Sequence, residues 1–219
     1  MKVKRSITPA KEGVLVALAK LKYATVPQVA YWSSPERHHS RTYALLTSLI
    51  DMGLVKRHDV LQPHIFSLSR EGFRVIGEQP PQGSRQESWS VLTQQCHANE
   101  AEIRLRHHYE DFEFLPNSDL YRMGLNPAIA EHGGKSDDHL IYVLVDDYNM
   151  QSERLSRVKY RSHKPKLAYF DLSKPIPNWS SVASLFICAI TSETQYELHK
   201  AYLIKHKLEI ALLKIEALW

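Results

Sequence analysis

Apolar positions recur at two different periods along this chain, and the change of period divides it. Val14, Leu15, Leu18 and Leu21 fall three and four apart, the stripe of an amphipathic helix. Ser6, Thr8 and Pro9 ahead of it supply a cap and a first-turn proline. A short second helix is predicted over TVPQVAYW, opened by Thr25 with Pro27 in its first turn and broken by Ser33–Ser34–Pro35. A third helix is predicted from about Glu36 to Met52, with Tyr43, Leu45, Leu46, Leu49 and Ile50 as its apolar face and Gly53 as its stop. Two short β-like runs follow, LVKRHDV and HIFSLS, joined by a turn containing Pro63, and Ser69 caps a last helix, REGFRVIG.

Beyond this point the pattern changes. Glu78 to Ser88 holds two prolines, a glycine and polar filler, and reads as a linker. It separates a first domain, residues 1–77, from a second, residues 89–219. The second opens on one long helix, SWSVLTQQCHANEAEIRLRHHYEDF, with FEFLPNSDLYRM as strand and loop. GGKSDDHLIYVLVDDYN reads as a turn and a buried strand, and SERLSRVKYRSHKP as a basic amphipathic helix. SLFICAI is a further apolar strand, Ser192 caps ETQYELHKAYLIKH, and EIALLKI closes the chain as a strand. Near-continuous apolar strands alternating with helices predict a mixed α/β sheet covered on both faces.

The order helix, helix, turn, helix, two-stranded ribbon is that of a winged helix-turn-helix. In such a fold the third helix enters the major groove of duplex DNA by its N-terminal half. Arg37, His38, Ser40 and Arg41 occupy that half here. Arginine can bond guanine bidentately, and Ser or His can reach base edges or phosphates. Lys56, Arg57 and His58 on the ribbon, with Lys4 and Arg5 at the N-terminus, would meet the sugar–phosphate backbone.

Charge adds to this picture. Up to Ile76 there are 12 Lys/Arg and 5 Asp/Glu, a balance of +7, whereas the remaining 16 and 19 give −3. A basic half beside a mildly acidic one implies two units with different partners, the first a polyanion. Of 219 residues 43% are hydrophobic and 24% charged, enough for a folded core. No apolar run reaches the roughly 18–20 residues of a membrane span, and the basic start lacks the apolar stretch of a signal peptide. A cytoplasmic, membrane-free protein is expected, with Cys96 and Cys188 reduced and inert.

The acidic residues suggest a second chemistry. Asp137–Asp138 precede one predicted strand, Asp146–Asp147 end it, and Lys159 follows on the next helix. Metal-dependent nucleases hold Mg²⁺ with converging carboxylates, and a nearby Lys can orient water or stabilise the transition state. Asp138, Asp146 and Asp147 are the candidate metal ligands, and Asp138, Asp146 and Lys159 the candidate catalytic set. Glu100 could add a carboxylate. Aspartates at strand ends serve equally as turn and capping residues. His97, His107 and His108 lack a matched ligand spacing and are expected to be surface or partly buried.

With these motifs in view, the chain resembles the replication-relaxation family of plasmid and phage proteins, and mobilisation relaxases related to it. The first half carries the likeness through Thr25, Gln28, Ser33, Arg41, Leu46, Gly53 and Val55. The second does so through Ser136–Asp137–Asp138, Val145–Asp146–Asp147, Lys159 with Tyr160, and ICAITSETQYELHKAYL. The resemblance implies a two-domain α+β or α/β protein: a winged helix-turn-helix, then a mixed-sheet, restriction-endonuclease-like domain of the PD-(D/E)xK type. No proline precedes Asp137 or Asp138, and VDD replaces the Glu-x-Asp or Glu-x-Lys motif, so the second domain reads as a degenerate member. The expectation is a sequence-specific double-stranded-DNA-binding protein of a mobile element, without a cofactor. It would act as a homodimer contacting replication, transfer or transposition proteins. The alternatives are a Mg²⁺-dependent nickase or endonuclease, and an adaptor whose winged helix binds protein.

Overall fold

The computed structural model describes residues 7–59, 63–80, 88–115, 132–136, 139–146, 152, 155, 183–208 and 210–215. The chain packs as two units, Met1–Asn99 and Glu100–Ala217. Among the described residues no helix is long and apolar enough to cross a membrane.

In the first unit, helix α1 (Pro9–Leu21) starts behind Thr8, with Pro9 where a helix lacks an N–H partner anyway. Its buried side chains are Val14, Leu15, Ala17, Leu18 and Leu21. Helix α2 (Val26–Ser33) is capped by Thr25, whose N–H donates to Gln28 Oε1 at 3.2 Å. Helix α3 (His39–Asp51) starts three residues later than the expected Glu36. Pro35 keeps Ser34 extended, the Arg37 N–H closes a turn on the Ser34 carbonyl at 2.9 Å, and His38 takes the capping position.

The buried stripe of α3 is Thr42, Leu46 and Leu49, with Leu45 and Ile50 packed against the same core, so the expected face holds except at Tyr43. Each residue turns a helix by about 100°, so Tyr43 falls off that stripe and is 38% exposed. Gly53, at φ +74°, ends the helix where a side chain would be strained. Strand β1 (Val55–His58) then pairs antiparallel with β2 (Ile65–Leu68), Val55 opposite Leu68 and His58 opposite Ile65. Ala24 extends this ribbon by exchanging two hydrogen bonds with Phe66, at 2.9 and 3.0 Å. Phe66 is fully buried in one core with α1 and with Leu46 and Leu49.

Helix α4 (Arg70–Val75) is capped by Ser69, whose hydroxyl accepts from the Gly72 N–H at 3.0 Å and donates to the Gly53 carbonyl at 2.7 Å. Helix α5 (Trp89–His108) follows, and its residues up to Asn99 belong to the first unit. Leu92 and Cys96 pack with Ile65, Tyr23 and Trp89. Gln28 Nε2 donates to the Cys96 carbonyl at 2.8 Å, and Asn99 Nδ2 to the Tyr23 carbonyl at 2.7 Å. Both cysteines are buried and unbridged. His97, expected at or near the surface, is fully buried, because α5 buries Cys96, His97 and Ala98 in succession.

The second unit is built on a five-stranded mixed sheet in the order β3-β4-β5-β6-β7. These strands are β3 (Glu113–Phe114), β4 (His132–Ser136), β5 (His139–Asp146), β6 (Ala183–Ile190) and β7 (Ala211–Lys214). The first three run antiparallel, and β5, β6 and β7 run parallel. Gly133–Ser136 form a strand where a turn was expected. Register sets Ser136 against His139, and the glycines allow close packing: a Cβ on Gly134 would lie 2.5 Å from the Glu113 carbonyl oxygen. Ile141, Val143, Leu144 and Val145 are all buried, so both faces of β5 are covered. Helix α6 (Glu193–His206) joins β6 to β7, with the Ser192 hydroxyl accepting from the Gln195 N–H. Leu203 of α6 packs with Leu144, Leu155, Cys188 and Ile190.

Two predictions follow from this packing. A Cβ on Gly72 would sit 2.2 Å from the Leu54 carbonyl oxygen, whereas one on Gly13, inside α1, would meet nothing closer than 3.6 Å. Gly72→Ala should lower stability by about 1–3 kcal/mol, and Gly13→Ala should raise it by about 0.5–1 kcal/mol; urea denaturation at pH 7 reads both. The second concerns His97, whose pKa burial pushes down to about 4. Above about pH 6.5 both folded and unfolded chains carry it neutral. Below that the unfolded chain takes up a proton that the folded one refuses until about pH 4, so stability falls across this window. The full loss is about 3 kcal/mol, and His97→Gln should flatten the fall in urea midpoint between pH 7 and pH 4.5.

Candidate nucleic-acid interface

The N-terminal end of α3 presents polar groups without covering them. His38, His39, Ser40 and Arg41 are exposed, and Arg37 is half-buried in the preceding turn. Arg37 Nη1 donates to Ser33 Oγ at 3.5 Å, which ties its side chain to the end of α2. His38 Nδ1 accepts from the Ser40 N–H at 3.3 Å and lies 2.8 Å from Ser40 Oγ. This assigns the ring proton to Nε2 in the neutral tautomer. A helix N-terminus carries partial positive charge and unpaired N–H groups, so the cationic side chains and the backbone act in the same direction. One turn further on, exposed Tyr43 stands edge-on to Phe66, with ring centroids 6.4 Å apart.

The ribbon presents a mixed edge. Lys56 is exposed. Arg57 is exposed too, but Asp59 holds it: Nε lies 2.6 Å from Oδ1, and Nη2 donates to Oδ2 at 3.2 Å. Asp59, and to a smaller extent Tyr43, raise the Arg57 pKa further. His58 is turned onto the protein, half-buried, 2.9 Å from Ser67 Oγ and edge-on to Tyr23. Burial first, and then the Lys56 charge, lower its pKa, so at neutral pH it offers no cation to a phosphate.

Lys4, Arg5, Asp137, Asp138, Asp147, Lys159 and Tyr160 lie outside the described residues. Asp146 is the last residue of β5 and is fully buried. Its Oδ2 is 2.8 Å from Nε2 of His199, also fully buried. Mg²⁺ keeps several waters when it binds protein carboxylates, and a carboxylate closed off from solvent does not fit that role. Among the described residues no group of three His, Cys, Asp or Glu could hold a metal ion. Sequence reasoning missed Asp59, the outward position of Tyr43, and His199. Only His199 leaves a readable mark, since it lies four residues before Leu203 on the buried stripe of α6.

No family model and no curated protein matches this chain. Among solved structures it is matched to TrmBL2, an archaeal chromatin protein whose structure shows a novel mode of DNA binding. The two are 12% identical over 96% of this chain and 76% of that one, with a TM-score of 0.26. A superposition that loose shows no common fold.

The surroundings of His58 make a prediction with worked signs. Followed by NMR, its ring should titrate below the ordinary histidine range. Lys56→Ala should move the transition up, and Asp59→Asn should move it further down, since Asp59 acts to raise it.

Proposed function

We propose that the first unit is a winged helix-turn-helix that binds double-stranded DNA through the N-terminal end of α3, with β1 and β2 as its wing. One observation carries this reading. The inward stripe of α3 is wholly buried while its N-terminal end holds Arg41, Ser40 and two histidines in the open. Arg41 is the base-reading residue of choice, because its planar fork matches guanine. Lys56 and, once released from Asp59, Arg57 supply phosphate contacts. His58 is left out of the contact set, and Arg37 serves to brace the turn before α3. The basic balance of the first 76 residues supports the same partner.

The mixed sheet of the second unit supports the restriction-endonuclease-like reading, in a degenerate form that pairs protomers or contacts other proteins. A homodimer would set two α3 helices about 34 Å apart, on a palindromic site. The resemblance to replication-relaxation proteins suggests the replication or transfer of a mobile element as the setting. No described residue favours the nuclease alternative.

Fluorescence anisotropy on genomic DNA fragments tests the reading. Affinity should fall linearly on a log–log salt plot, with a slope of about −0.9 per phosphate contacted. Arg41→Ala should cost about 1–3 kcal/mol on the preferred site and relax its sequence preference. Lys56→Ala should weaken all fragments alike. Absence of any bound fragment at about 50 mM salt, where such contacts are strongest, overturns it.

A further inference from the structure

The buried pair in the second unit extends to a third residue. His199 Nδ1 lies 2.9 Å from Ser152 Oγ, while its Nε2 lies 2.8 Å from Asp146 Oδ2. A carboxylate can only accept, so the Nε2 proton faces Asp146 and the Nδ1 lone pair faces the serine hydroxyl. That is the protonation state in which an imidazole can withdraw a proton from an alcohol. Exposure follows the same order: Asp146 and His199 are fully buried, and Ser152 is partly open to solvent.

The three residues are held by separate parts of the fold. Asp146 ends β5. His199 is fixed on the buried stripe of α6. Ser152 is pinned by its carbonyl, which accepts from the Leu155 N–H at 3.0 Å, and Leu155 is fully buried against Leu144, Cys188 and Ile190. The Thr191 hydroxyl, just beyond β6, donates to the Asp146 carbonyl at 3.4 Å. Asp146 and Thr191 therefore mark the carboxyl ends of two neighbouring parallel strands, the edge at which open α/β sheets place their ligands.

We propose that Ser152 is a histidine-activated nucleophile, with His199 as its base and Asp146 as the residue positioning that base. The reaction class is acyl transfer from a carboxylic ester. A phosphodiester would bring a second negative charge toward the buried Asp146 carboxylate, which disfavours it. In the first step Ser152 Oγ bonds to the acyl carbon and its proton passes to His199 Nδ1. The ester C–O bond breaks, and the departing alkoxide takes that proton. Water then repeats the sequence: it gives a proton to His199, bonds to the acyl carbon, and releases the acid as Ser152 Oγ recovers its hydrogen. The proposal is independent of DNA binding by the first unit.

A fluorophosphonate probe tests it on the full chain. The P–F bond breaks, fluoride leaves, and an Oγ–P bond forms only on an activated serine. Intact-mass and peptide spectrometry should find one adduct, on Ser152, in the folded protein and none after heat denaturation. Ser152→Ala should reduce labelling at least tenfold while leaving the circular dichroism spectrum unchanged. p-Nitrophenyl acetate should give a burst of about one equivalent of nitrophenolate with the wild-type chain and none with Ser152→Ala. An unlabelled Ser152 in protein of native spectrum, beside a serine hydrolase labelled in the same mixture, overturns the proposal and leaves Asp146–His199–Ser152 as a structural clamp. DNA affinity is unaffected by either outcome, so the two readings stand or fall separately.

Discussion

Everything the first unit offers to a partner depends on how α3 is seated. Leu46 and Leu49 are fully buried with Phe66 and the apolar stripe of α1, and each such side chain contributes about 1.5–3 kcal/mol by leaving water. Thr42, on the same stripe, is buried with them. A helix anchored along one line has no choice about its opposite line, so burial determines that Ser40, Arg41 and Tyr43 look outward. The chemistry at the tip is therefore a by-product of hydrophobic packing one and two turns away.

Polar groups inside this unit reinforce the arrangement. Gln28 joins the cap of α2 to the backbone of α5, and Asn99 joins α5 to the end of α1 and the residue before Ala24. Buried amides are costly unless bonded, and these two are bonded to backbone groups far away in sequence. They explain why the first part of α5 packs with the helices and ribbon that precede it. The second unit follows a different rule. Its central strand β5 is covered on both faces while β3 and β7 are partly exposed, and the buried polar residues Asp146, Thr191 and His199 meet at the carboxyl ends of β5 and β6.

Much of the fold was legible because local signals carry it. Thr8–Pro9, Thr25 with Gln28, Ser69 and Ser192 mark helix starts, Gly53 marks an end, and the apolar runs of β5 and β6 are plain in the sequence. What escaped depends on geometry that periodicity does not carry. A cap by His38 rather than an earlier start of α3 turns on the backbone at Ser34–Pro35, and two glycines in β4 disguise a strand as a turn. Of the candidate interface, Ser40, Arg41 and Lys56 stand exposed on α3 and β1, because helix phase and strand position were readable. The attachment of His58 to Ser67 was not, since it needs the register of β1 on β2, and that of Arg57 to Asp59, two residues on, turns on side-chain geometry at the end of β1. The Asp146–His199–Ser152 chain spans up to 53 residues of sequence, and nothing local announces it.

Gly53 couples two surfaces through a short connection. Its left-handed backbone lets three residues, Met52 to Leu54, turn α3 into β1, and Ser69 grips its carbonyl from the far side of the ribbon. Spacing between helix tip and ribbon is thereby a fixed ruler rather than an adjustable tether. Lengthening that joint by one residue would invert the β1 alternation, turning Lys56 toward the core and Val55 toward solvent. Evolution can retune which bases such a surface meets by exchanging side chains at its rim, but it has little freedom to alter the reach.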